Sequence, residues 1–187
     1  MSVRLRSMHH DATAAAGAVV ARLLTPGDVV VLGGPLGAGK TRLVQGIAVG
    51  LGVRSRVTSP TFVIVRRHEG RLPLVHVDAY RLEDAHALAT LDDDVLADDV
   101  VTCVEWGSRV GRALPEARLD IELHVDGDEG GSPRTMTLSG RGAGWVDRMD
   151  ALDRDLAVLA GERSDLTVVI AVDPGDHLRG DERAGGA

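Results

Sequence analysis

The sequence predicts an α/β fold: a sheet with a mostly parallel core and antiparallel additions, with helices on both faces. Three observations carry this. A glycine-rich loop, Gly34-Pro35-Leu36-Gly37-Ala38-Gly39-Lys40-Thr41, joins an apolar run (29–32) to a helix-like stretch (42–49). Two more runs of mostly apolar residues, 72–77 and 100–104, end in carboxylates, Asp78 and Glu105. Uninterrupted apolar runs are what strands buried on both faces of a parallel sheet require.

In chain order, residues 11–24 are rich in alanine and place Val19, Val20, Leu23 and Leu24 on one helical face, with Asp11 or Thr13 available as a cap. Thr25-Pro26-Gly27-Asp28 is a turn, and 29–32 is the first strand. The helix after the glycine loop ends near Gly50 or Gly52. The β-branched content of 56–65 predicts a strand, interrupted at Pro60 because proline pushes its predecessor into extended backbone. That interruption makes Ser59-Pro60-Thr61 a hydroxyl-rich bend. Residues 72–77 return as a strand, 83–98 form one or two short acidic helices, and 100–104 is another buried strand. Strands over 119–125 and 135–138 and a helix over 145–159 complete the pattern. Residues 1–160 are read as one nucleotide-binding domain. Residues 161–187 are read as a C-terminal extension, with a strand over 165–172 and a disordered tail over 173–187.

The chemistry starts at the loop, which reads G-x-x-x-x-G-K-T. A strand feeding glycines into a helix N-terminus turns backbone N–H groups toward phosphates, and glycine lets the backbone approach without a Cβ in the way. Lys40 reaches the terminal phosphates, and the Thr41 hydroxyl holds Mg²⁺. The competing explanation is a glycine-rich turn with an accidental Gly-Lys-Thr. Lys40 argues against it, being the only lysine among 187 residues. Arginine, with its planar fork, is a poor replacement for a compact ammonium among phosphates. The fold is therefore expected to be of the P-loop NTPase type, whose second half needs an acidic strand end to orient the metal or the attacking water. Asp78 and Glu105 both qualify, and spacing does not rank them.

Composition narrows the remaining choices. A net charge of −7 disfavours a protein that grips nucleic acid by general electrostatics. The single cysteine, Cys103, rules out an internal disulfide and reads as an inert core residue in a reducing compartment. No apolar run approaches the ~20 residues of a membrane span, and His9, His10 and Asp11 interrupt any signal-peptide core. The expectation is a soluble, cytoplasmic protein. Asp92-Asp93-Asp94 and Asp98-Asp99 are read as solvated helix starts rather than metal ligands.

Four segments, GGPLGAGKTRL, VTSPTFVIV, HVDAYRL and VEW, occur in an order and spacing that resembles the bacterial TsaE (YjeE) family over about residues 9–140. The only phenylalanine, Phe62, and the only tyrosine, Tyr80, fall inside them. The resemblance implies a small ATPase required for threonylcarbamoyladenosine modification of tRNAs that read codons starting with A. Such a protein does not transfer the group itself but acts on a TsaD–TsaB complex, meeting tRNA only through that complex. It implies ATP and Mg²⁺ as ligands. Gly37, Ala38, Gly39, Lys40 and Thr41 would bind the phosphates, and Thr41 with Glu105 would hold Mg²⁺. Asp78 would position the hydrolytic water or the metal's water shell, with Lys40, Asp78 and Glu105 forming the catalytic set. Ser59, Pro60 and Thr61 would form a switch-like segment near the γ-phosphate, and Trp106 would pack near the site or the partner. Thr13 and Arg134 align with family positions near the nucleotide.

Pro35 and Arg42 depart from the family pattern. Proline stiffens the loop and removes one N–H, and Arg42 adds a positive charge near the phosphates. Two rival readings remain. A small-molecule kinase would use the same loop with a lid of arginines, for which Arg66-Arg67 and Arg109 with Arg112 are the mid-chain candidates. A non-catalytic nucleotide-gated module would tolerate neutralisation of Asp78 and Glu105.

Overall fold

The computed structural model describes residues 2–91, 93–127 and 133–169. Eight strands form one sheet: β1 (Ser2–Ser7), β2 (Val29–Gly33), β3 (Val65–His68), β4 (Leu74–Asp78), β5 (Val101–Glu105), β6 (Arg118–Val125), β7 (Arg134–Arg141) and β8 (Leu166–Val169). Their order is β3-β4-β5-β2-β6-β7-β1-β8. The four strands β4-β5-β2-β6 are mutually parallel, and every other pairing is antiparallel. The mostly parallel core with antiparallel additions is thus as expected.

Three long helices, α1 (His10–Leu23), α2 (Lys40–Gly50) and α4 (Ala143–Glu162), share one face of the sheet. Their apolar stripes meet Val30, Leu32, Cys103, Ile121, Met136 and Leu138. Alternation along β2 sends Val29 and Val31 to the opposite face. There the cover is slighter, consisting of the short helix α3 (Ala85–Ala89) and 3-10 turns at Ala79–Arg81, Asp93–Leu96, Gly107–Arg109 and Gly111–Ala113. Helices do lie on both faces, but unequally.

Glycine sets how closely α1 and α2 approach. A Cβ at Gly17 would collide with the Leu43 carbonyl oxygen, and one at Gly46 with that of Ala14. This contact brings the N-terminal turn of α1 alongside the loop that precedes α2. Arg148 on α4 donates from Nη1 and Nη2 to Asp28 at 2.6 and 2.9 Å, and its guanidinium stacks on Trp145 at 3.8 Å. That fork fastens α4 to the turn that launches β2.

Two expectations need correction. Residues 56–64 form no strand. Pro60 accepts backbone bonds from Val63 and Ile64, and the chain enters β3 only at Val65, which also begins later and runs to His68. The β-branched residues of this corner lie outside the ladder because a proline turn has taken their hydrogen bonds. Residues 2–7, given no structure from sequence, form β1, inserted between β7 and β8 with Val3, Leu5 and Ser7 buried. The expected break at 160 falls inside α4, and β8 pairs with β1 to complete the same sheet. The expected tail over 173–187 lies outside the described residues, as does Asp92. No helix among the described residues is long and apolar enough to cross a membrane.

Candidate active site

Parallel pairing aligns the carboxyl ends of the strands on one edge of the sheet, where open α/β sheets place ligands. Asp78 is in register with Glu105, and Glu105 with Leu32, two residues before the glycine loop begins at Gly34. A cavity of about 500 Å³ opens at this edge. Its lining includes Gly37, Gly39, Lys40, Thr41, Ser59, Thr61, Asp78, Tyr80, Glu105 and Trp106.

The loop carries positive φ at Gly34 (124°), Gly37 (78°) and Gly39 (104°), and Gly39 is the N-cap of α2. Side chains rarely adopt such angles, so the glycines are conformational requirements. The amides of the first turn of α2 have no partners within the helix and face the loop's concavity. Lys40 is buried at 5 % exposure, and its Nζ donates to the Gly34 and Pro35 carbonyls, each at 2.8 Å. The Trp106 ring lies 3.8 Å from the same ammonium. Burial lowers the Lys40 pKa below its ordinary value, opposed by the charges of Glu105, Asp78 and Glu122 in that order.

Thr41 Oγ donates to Glu105 Oε1 at 2.7 Å. A hydroxyl and a carboxylate oxygen are hard donors of the kind Mg²⁺ selects. Adjacent ligands of an octahedral Mg²⁺ stand about 3.0 Å apart when each bond is near 2.1 Å. The pair therefore fits two positions of one magnesium ion. Among the described residues no group of three or more His, Cys, Asp or Glu could hold a metal by itself.

Asp78 is engaged differently. Its Oδ2 accepts from Ser59 Oγ at 3.2 Å and from Thr61 Oγ, and its Oδ1 accepts from the Tyr80 amide at 3.0 Å. Ser59 and Thr61 are themselves bonded at 2.7 Å. The hydroxyl corner is thus tied to a strand end inside the cavity. Ile64 closes this corner with φ 67°, and Trp106 follows Glu105 with φ 60°. Left-handed backbone at a β-branched and an aromatic residue is costly and marks both flanks of the site as constrained.

The structure brings Gly37, Gly39, Lys40, Thr41, Ser59, Thr61, Asp78 and Glu105 to one cavity; Ala38, Thr13, Arg134 and Arg42 do not line it. Ala38 is wholly buried and holds its place in the loop by backbone. Thr13 is buried against the loop with its Oγ bonded to Ser7 Oγ at 2.8 Å, and Arg134 Nε donates to the Ala38 carbonyl at 3.1 Å. Both brace the loop from outside. Arg42 turns its guanidinium to Asp11 (2.5 Å) and the His10 carbonyl on α1 and to Gln45 on α2. Tyr80, inside a quoted segment but given no role, lines the cavity and packs on Trp106 with ring centroids 5.2 Å apart. His76 likewise received no role, yet its Nε2 donates to Glu105 Oε1 at 2.9 Å. A second cavity, about 350 Å³, lies beside β6 and β7 near Arg118, Asp120 and Arg141. Those three are already paired with one another.

The chain is similar to known proteins. The family model "Threonylcarbamoyl adenosine biosynthesis protein TsaE" matches residues 7–135. A tRNA threonylcarbamoyladenosine biosynthesis protein TsaE from Streptomyces coelicolor is 45 % identical over 150 residues, covering 78 % of this chain and 97 % of that protein. One of the same description from Treponema pallidum is 48 % identical over 123 residues, covering 62 % and 87 %. The crystal structure of YdiB from Bacillus subtilis superposes with a TM-score of 0.71 at 32 % identity, covering 82 % of this chain and 95 % of that one. The chain belongs to the TsaE family.

Proposed function

We propose that this protein binds and hydrolyses ATP as a component of tRNA threonylcarbamoyladenosine biosynthesis, acting in the cytoplasm on a TsaD–TsaB complex rather than transferring the group itself. The observation that carries the reading is the Thr41–Glu105 bond beside Lys40 at the mouth of the glycine loop. The loop amides and Lys40 bind the β- and γ-phosphates, and Lys40 exchanges its two carbonyl contacts for phosphate oxygens. Thr41 and Glu105 hold Mg²⁺, which when bound neutralises charge on the phosphates. Asp78 orients the attacking water or the metal's water shell, and the Ser59–Thr61 corner hangs from the same carboxylate.

Two features support dependence on a partner. No arginine lines the cavity among the described residues, so the charge that develops on the transferred phosphoryl group lacks a guanidinium. The rim is also apolar and exposed, with Leu36 at 88 %, Phe62 at 84 % and Val63 at 56 %. Large apolar side chains gathered at a site's mouth suit a covering protein surface. The kinase alternative loses support from the same geometry. Arg66 and Arg67 point to Thr58 and Glu69 on β3, and Arg109 donates to the Leu82 carbonyl.

The test is steady-state ATP hydrolysis by the purified protein, alone and with TsaD–TsaB, using Lys40→Ala as control. Low turnover alone that rises with the partners and disappears in the variant is the expected result. Turnover that ignores the partners but answers to a small-molecule acceptor would replace this reading with a kinase.

A further inference from the structure

We propose that His76 is a positioning residue that fixes the Glu105 carboxylate for its metal, acting from one step deeper along β4 on the same face of the sheet. The inference rests on the reading of Thr41 and Glu105 as magnesium ligands.

The backbone dictates the placement. Along β4, Leu74, His76 and Asp78 fall on one face, and the register sets His76 beside Cys103 and Asp78 beside Glu105. Glu105 is thus the diagonal neighbour of His76, within reach of an imidazole. Both side chains are buried, at 0 % and 4 % exposure. A carboxylate oxygen can only accept, so Nε2 of His76 carries the proton and donates to Oε1 at 2.9 Å. Thr41 Oγ donates to the same Oε1 at 2.7 Å. Two donors, one on α2 and one on β4, converge on one oxygen and leave Oε2 unused by either. That double anchor restricts rotation of the carboxylate about its terminal bond. Magnesium demands such restriction, because it tolerates little departure from octahedral geometry.

The cost of this histidine argues that it is not filler. Nδ1 of His76 is one of two buried side-chain polar atoms without a partner among the described residues. Buried polar groups are nearly always bonded, and an apolar side chain here would avoid the penalty. Only the bond to Glu105 offsets it. Ligating carboxylates are commonly oriented by such outer partners, whose loss typically weakens metal binding about 10- to 100-fold.

The experiment measures binding of methylanthraniloyl-ADP by fluorescence, in EDTA and across a Mg²⁺ titration, for wild type, His76→Leu and His76→Gln. Thermal melts of each metal-free protein report folding. The expected result is that His76→Leu keeps its metal-free nucleotide affinity and its melt, but needs about tenfold more Mg²⁺ to reach the tightened state. His76→Gln, which carries a side-chain N–H, recovers part of the loss. A Mg²⁺ midpoint in His76→Leu equal to wild type overturns the proposal. So does a loss in His76→Gln as large as in His76→Leu, which would mark a packing role. If wild type itself gains nothing from Mg²⁺, the assignment of Thr41 and Glu105 as ligands fails first, and the role of His76 falls with it. Should His76→Leu melt early, His76→Phe, which keeps ring volume without a donor, takes its place with the same criterion.

Discussion

Asp78 and Glu105 leave the sheet side by side, in register, each buried to 3 % exposure, and they are held in opposite ways. Asp78 is bound by a loop corner and by its own following turn: the hydroxyls of Ser59 and Thr61 just before β3, 19 and 17 residues back, and the amide of Tyr80 two residues on. Glu105 is bound by donors on other elements, Thr41 from the first turn of α2 and His76 from the middle of β4. One carboxylate thus anchors a loop corner of hydroxyls, while the other is set rigidly by helix and sheet. A ligand to a demanding cation belongs on the rigid side, and a group that must follow an ordering corner belongs on the other. From this contrast we infer that Glu105 serves the proposed metal and Asp78 the water and the corner, a ranking that spacing alone left open.

The largest effect follows from Glu105→Gln. The amide keeps the shape but loses the charge that holds the metal, so hydrolysis in the presence of partners should fall about 100-fold or more. Nucleotide binding in EDTA should survive, because the loop amides and Lys40 remain. A variant that hydrolysed at the wild-type rate would remove Glu105 from the metal. Asp78→Asn should cost less, about tenfold in rate, since it weakens bonds to a charged acceptor worth roughly 1.5–3 kcal/mol without touching Thr41. Its distinguishing mark is local. Amide exchange over residues 59–64 should quicken in Asp78→Asn and stay unchanged in Glu105→Gln, because only Asp78 bonds the Ser59 and Thr61 hydroxyls. Equal exchange in the two variants would erase the division of labour.

How much of this was legible in the sequence depends on how local the cause is. The glycine loop was readable because its conformation, its charge and its helix cap all lie within eight residues. The strand-end carboxylates were readable as candidates, since apolar runs announce buried strands, but their neighbours were not. The register Asp78↔Glu105 is a tertiary fact. Residues 56–64 were misread because β-branched content is a propensity for pleated surfaces, and here the proline turn at 60 overrules it. The strand β1 carried a period-2 signal in Val3, Leu5 and Ser7 that was short and interleaved with arginines, and it went unread. Position puts Arg42 near the phosphates, but the bonds of its guanidinium to Asp11 and His10 on α1, set by the glycine-mediated approach of two helices, were not legible. His76 lay in plain sight inside an apolar strand, and nothing along one chain says which carboxylate stands diagonally behind it.

The smallest effect is also the most direct measure of the difference between the two carboxylates. Lys40 feels both, and burial lowers its pKa below 10.5 while Glu105 opposes that shift more than Asp78 does. Because the folded value lies below the unfolded one, the nucleotide-free folded protein holds fewer protons at Lys40 between the two values than the unfolded chain does. The penalty for burying this ammonium is therefore present at neutral pH and is relieved as pH rises through the folded value toward 10.5. Lys40 is the only lysine in the chain, so ¹³C-labelled lysine gives one side-chain resonance whose titration needs no assignment. The midpoint should fall below the ordinary value in wild type, fall further in Glu105→Gln, and fall by less in Asp78→Asn. The order of the two variants is what matters. Were Asp78→Asn to move Lys40 more, the carboxylate nearer the ammonium in electrostatic terms would be Asp78, and the metal position would have to be sought between Lys40 and β4 instead of beside Thr41.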